Sequence, residues 1–244
     1  MNNARHGSLV PLHVRMNPFP DIYTGRVQHA GWNVIQAATL MEEAKSRRSG
    51  SLLIYAALEL RLAIEHLVFT IILVAKGNAS AATLRACHRP GGLFRELEKI
   101  APLYARKCQF TRVLVSFHPE IPQGEAWDVR RLLRDHAALS EMCHARRSLR
   151  GMGAQPEPWD ERLALLQEVH AFLAAGLKRD TAVLSFKGAT PAALALWRKY
   201  ARGKVSLTQV RRRFAQAKAP LVSRQPSPRP YPARGPAVPY QISR

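Results

Sequence analysis

SLLIYAALELRLAIEHLVFTIILVAK, residues 51–76, decides the class of fold. Ser51 is an N-cap residue type and Gly77 follows the segment directly, so both ends carry helix punctuation. Few polar side chains interrupt it. At 100° per residue, Glu59, His66 and Thr70 fall within about 40° of one another. Arg61 and Glu65 form an i,i+4 pair nearly opposite them. Leu, Ile, Val, Phe and Ala dominate the rest, and a helix apolar nearly all round belongs at the centre of a bundle. Its most apolar run, 67–75, is nine residues, about half of a membrane span. No membrane insertion is expected.

Outward from this helix the punctuation continues. Spacing predicts helices over 27–48, stopping at Ser49-Gly50, and from a Ser80 cap to Pro90-Gly91-Gly92. Two further helices, 93–101 and 103–117, are predicted on either side of Pro102. Residues 125–147 and 158–179 read as long helices. A strand over 181–186 would have nothing to pair with. The expected class is all-α, an antiparallel helical bundle.

The 125–147 helix has an apolar stripe through Val129, Leu132, Leu133, Leu139 and Cys143. His136 and Ser140 lie on that stripe and His144 at its flank. Two inward polar groups are therefore expected to meet, Glu59/His66 from one long helix and His136/Ser140/His144 from the other. With Arg61 and Glu65 they form the expected buried polar cluster. Two readings fit it: a hydrogen-bonded network that fixes helix register, or a cleft between helices that holds chemistry.

Charge divides the chain. It has 37 basic and 17 acidic residues, a net +20, and every acid lies between Asp21 and Asp180. Residues 181–244 alone carry +13. Four parts are expected: an irregular arm, 1–24; the bundle, 25–180; a basic helical hairpin, 181–219; and a disordered Pro/Arg-rich tail, 220–244, with seven prolines. Three cysteines exclude a disulfide-stapled scaffold and suggest a reducing compartment. The first twenty residues have no apolar signal core. A cytoplasmic location is expected.

AALELRLAIEHLVF, residues 56–69, and WDVRRLLRDHAALSEMCH, residues 127–144, resemble stretches of HEPN-type helical bundles. The resemblance covers about residues 30–180. It implies a small all-α domain, a homodimer, and a metal-independent RNase or an inactive relative in a defence or toxin–antitoxin setting, with an antitoxin-like protein partner. Active members carry an Arg-x4–6-His motif. In such an enzyme a His is the general base on the ribose 2′-hydroxyl and an Arg stabilises the phosphorane charge.

Four pairs have that spacing: Arg61–His66, Arg112–His118, Arg130–His136 and Arg131–His136. Composition alone gives about three. On a straight helix such pairs diverge by about 120–140°. Arg112–His118 ends beside Pro119, where the chain leaves the helix and the two side chains can converge. Arg112 and His118 are therefore catalytic candidates, and His144 joins them through the resemblance, since it ends the family-like LSEMCH although no Arg precedes it at that spacing. Arg61 and Arg112 are followed by Leu62 and Val113, where the family prefers a polar residue. Cys87-His88 and Cys143-His144 lack the spacing of a structural zinc site, so neither metal nor cofactor is expected.

ALALWRKYARGKVSLTQVRRRFAQAK, residues 193–218, reads as helix–turn–helix. Thr190-Pro191 opens the first helix, Gly203 stops it, and Ser206 caps the second. Trp197, Tyr200, Val205, Leu207, Val210 and Phe214 supply apolar contacts. Arg198, Lys199, Arg202, Lys204, Arg211, Arg212 and Arg213 occupy the polar face. Cations interleaved with aromatics suit RNA or DNA phosphates. The expected function is nucleic-acid binding by an HEPN-like protein. The alternative is a non-enzymatic nucleic-acid-binding or protein-interaction adaptor.

Overall fold

A computed structural model of the chain describes residues 29–77, 80–117, 125–144, 159–178 and 190–216. Apolar residues at three- and four-residue steps account for each helix. Ala30, Val34, Ala37, Met41 and Ala44 line the buried face of α1 (Ala30–Arg47). The chain turns through Arg48 and Ser49 into α2 (Gly50–Lys76), which lies antiparallel to α1. Ser49, not Ser51, is the cap residue, and Gly77 closes the helix as its spacing predicts.

α2 is central. α1, α4 (Gly92–Val115), α5 (Val129–Cys143) and α6 (Trp159–Lys178) all pack against it. Its Leu53, Leu60, Ile64, Val68 and Ile72 are buried completely or nearly so. The helix is not covered all round, however: Tyr55 and Leu58 stay exposed on its outer side.

The short α3 (Ala81–His88) begins where Ser80 accepts the Thr83 backbone N–H at 3.2 Å. Between α3 and α4, Gly91 adopts φ +63°, a conformation that favours glycine. Gly92 follows because a Cβ there would stand 2.0 Å from the Ala86 carbonyl oxygen.

α4 corrects the expectation of two helices. It is one helix with Pro102 inside it. Pro102 has no N–H for the Glu98 carbonyl, which ordinarily ends a helix. Here Leu97, Ile100, Tyr104 and Cys108 keep one buried stripe running past it, and Pro102 faces solvent. Packing against α2 outweighs the missing bond. Lys107, buried on the same helix, donates from Nζ to the Val74 carbonyl at 2.5 Å. That carbonyl belongs to the last turn of α2, where a cation also complements the helix dipole.

α5 starts at Val129 rather than 125. The Trp127 N–H is taken by the Tyr104 hydroxyl at 3.1 Å, and the Asp128 carboxylate accepts the Arg131 N–H at 3.0 Å. These bonds hold 127 and 128 outside the helix. α7 (Pro191–Ala201) and α8 (Leu207–Gln216) form a hairpin that packs on the C-terminal half of α4. The fold is all-α. The expected arm 1–24 and tail 220–244, and the segment 181–186, lie outside the described residues. No described helix is long and apolar enough to cross a membrane.

Candidate nucleic-acid interface

Local chemistry sets the hairpin. The Thr190 hydroxyl accepts the Ala193 N–H at 3.3 Å, with Pro191 in the first turn of α7. Gly203 at φ +70° makes the turn, and its N–H reaches the Tyr200 carbonyl at 2.9 Å. Ser206 and Gln209 then cap α8 reciprocally. The Gln209 N–H donates to the Ser206 hydroxyl at 3.2 Å, and the Ser206 N–H to the Gln209 side chain at 2.7 Å.

The hairpin docks through aromatics. Phe110 of α4 is 1% exposed and meets, among the described residues, the rings of Trp197 at 5.3 Å, Phe214 at 5.4 Å and Tyr200 at 6.0 Å. Val113, Leu114, Ala193, Leu196 and Val210 complete the cluster. Two polar anchors reinforce it. Arg106 Nη1 donates to the Ala201 carbonyl at 2.6 Å, capping the end of α7, and the Tyr200 hydroxyl donates to Gln109 at 2.6 Å. Burial raises the Tyr200 phenol above its ordinary range.

With Ala193, Leu196, Tyr200, Val210 and Phe214 turned inward, the charges face out. Arg198, Lys199, Arg202, Lys204, Arg211, Arg212 and Arg213 are all exposed. None of the seven side chains has an acidic partner among the described residues. The sequence from 181 onward contains no acid at all. Their mutual repulsion is uncompensated within this surface, and an array of phosphates would relieve it.

The polar cluster of the bundle assembles differently from its expected pairing. Glu59 turns to α1, where Asn33 Nδ2 donates to it at 2.6 Å. Glu65, six residues on, faces α5 and receives His136 Nε2 at 3.1 Å and Arg61 Nε at 3.0 Å. Six residues rotate a helix by about 120°, so the two carboxylates serve different neighbours. Glu65 titrates below its ordinary range, chiefly through the His136 bond and against the opposing effect of burial. The His136 ring also lies 3.9 Å from the Phe94 ring. His66 does not join them. It is half-buried, and desolvation lowers its pKa. Ser140, also half-buried, sits one turn beyond His136.

A second network has no signal in the sequence. Arg131 bridges helices, holding Asp135 of its own α5 at 3.2 Å and Glu168 of α6 at 2.8 Å, with its guanidinium 4.3 Å from the Phe172 ring centre. Asp135 is 2% exposed and also binds Arg134. Nothing local to 127–144 reveals that Glu168 stands opposite.

Of the catalytic candidates, Arg112 and His144 are not joined. His118 lies outside the described residues. Arg112 is exposed in the last turn of α4, and His144 is exposed at the C-terminal cap of α5. No hydrogen bond or ion pair joins them among the described residues. Of the other arginines in the four spaced pairs, Arg61 and Arg131 are held by carboxylates, and Arg130 faces solvent. Cys87, Cys108 and Cys143 are free thiols, each raised by burial, and no metal-sized group of His, Cys, Asp and Glu occurs among the described residues. Compared with family models, curated proteins and solved structures, the chain has no match.

Proposed function

We propose that this protein binds nucleic acid through the α7–α8 hairpin, and that it acts by binding rather than by cutting. The observation that carries the reading is the hairpin's seven exposed cations, without acidic partners among the described residues, on a scaffold fixed to α4. Under this proposal the bundle is an HEPN-like relative with no converged Arg–His pair among the described residues, and it serves as the body that presents the hairpin and meets protein partners. Phosphate binding supplies the affinity, so sequence preference is weak.

The test is polynucleotide binding against salt, with Arg198, Arg202, Arg211, Arg212 and Arg213 replaced by Gln. For every phosphate that the variant no longer neutralises, the log–log slope flattens by about 0.7 on a single strand or 0.9 on a duplex. A reduction of several units is expected, with the melting temperature held. An unchanged slope would remove the hairpin as the binding surface. Cleavage of RNA in EDTA by the wild type, abolished in Arg112→Ala and His144→Ala, would replace binding by metal-independent catalysis.

A further inference from the structure

Resting on the nucleic-acid reading, we infer that Phe117 is a base-stacking platform and that the ligand of this surface is a single-stranded polynucleotide. Phe117 is one of the few large apolar side chains left open, 39% exposed. It stands immediately beyond α4, the helix on which the hairpin sits. Its ring meets Phe214 of α8 edge-on at 6.3 Å. Phe214 in turn meets the buried Phe110 edge-on at 5.4 Å. An aromatic ladder thus leads from the interior of the hairpin cluster to solvent, and Phe117 is its outermost rung.

The inner rungs hold the outer one in place. A ring packed on one side against another and still 39% exposed keeps surface available for stacking. Phe214 directly follows Arg211, Arg212 and Arg213, so phosphate-binding charge flanks the ladder in the same turn of helix. Unpaired bases stack on such a ring, whereas bases within an intact duplex already have their faces covered.

The cations argue the same way. Arg211, Arg212 and Arg213 are consecutive, so they fan over about 200° of the helix circumference. A stiff duplex approaches a helix from one side and meets such a fan incompletely. A flexible strand can wrap around it. The start of α8, which reads base edges in a duplex-binding helix–turn–helix, is occupied by its own cap: the Gln209 side chain is bonded to the Ser206 N–H.

The experiment measures anisotropy of labelled oligouridylate, oligothymidylate and a duplex of equal length at one salt concentration. Both single strands should bind more tightly than the duplex. Phe117→Leu keeps an apolar neighbour on Phe214 while removing the stacking face. It should weaken single-strand binding by about one order of magnitude, from a stacking energy of about 1–3 kcal/mol per base, and leave duplex affinity and salt slope unchanged. Phe117→Trp should restore binding and show fluorescence quenching by either single strand. Unequal restoration on uridylate and thymidylate distinguishes RNA from DNA as the preferred source. Equal weakening on single strands and duplex, or no weakening in Phe117→Leu, would overturn the inference while the arginine variants still test the binding surface. Failure of the wild type to bind any polynucleotide would overturn both.

Discussion

Lys107 and Cys108 are sequence neighbours that titrate in opposite senses because burial penalises opposite charged states. Burial brings the Lys107 ammonium down to about 8, from an ordinary 10.5, and pushes the Cys108 thiol up to about 11, from 9.0. Between pH 8 and 10.5 the unfolded chain binds the Lys107 proton and the folded one does not, so this lysine makes stability rise with pH. From pH 9 to 11 the folded chain keeps the Cys108 proton, which makes stability fall. The two offset each other from 9 to 10.5. Stability should therefore climb between pH 8 and 9, by about 1 kcal/mol at about 1.4 kcal/mol per pH unit, and decline above 9, where the raised Cys87 and Cys143 thiols add to Cys108. Urea midpoints across this range measure it. Lys107→Met should abolish the climb and keep the decline. The same climb in the variant would assign it to another group.

At the scale of elements, Pro102 supplies the next prediction. Pro102→Ala restores an N–H to the solvent side of α4 without touching its buried stripe. The gain in helix hydrogen bonding exceeds the entropy advantage of a stiffer unfolded chain, and the substitution should stabilise by about 1–2 kcal/mol. A thermal melt that falls instead would mean that the stiff proline is worth more to α4 than the added bond. Helix ends are largely legible in the sequence because caps are local: Ser80, Thr190 and Ser206 each bind an N–H three residues on. The continuity of α4 is not, since what carries it past Pro102 is α2, far away in sequence. The same limit applies to the polar cluster. Periodicity assigns Glu59 and Glu65 to different faces of α2, yet does not say that α5 covers the second and α1 the first. The exposed cations of the hairpin are readable from composition and period. Its aromatic dock is readable only in half, because Phe110 lies outside the hairpin segment.

For the whole molecule, that dock removes the independence expected of a basic appendage. Phe110 belongs to α4, and α4 also packs on α2. Phe110→Ala should cost about 3–5 kcal/mol and detach the hairpin. Limited trypsinolysis should then cut at Arg198 and Arg211–Arg213 well before the bundle, whereas in the wild type those bonds lie in docked helices and resist. Equal cleavage rates in the two proteins would show that Phe110 does not hold the hairpin.

α4 has a mechanical consequence as well. Within six residues it grips both neighbours: Tyr104 and Lys107 reach inward to Trp127 and Val74, while Arg106 and Gln109 reach outward to Ala201 and Tyr200. Tension applied to the hairpin therefore passes into α4. The outer bonds and the rings around Phe110 hold the hairpin together on one stretch of α4. A pull on the hairpin acts on the structural core, and rupture should come as one event rather than as the early release of an outer flap.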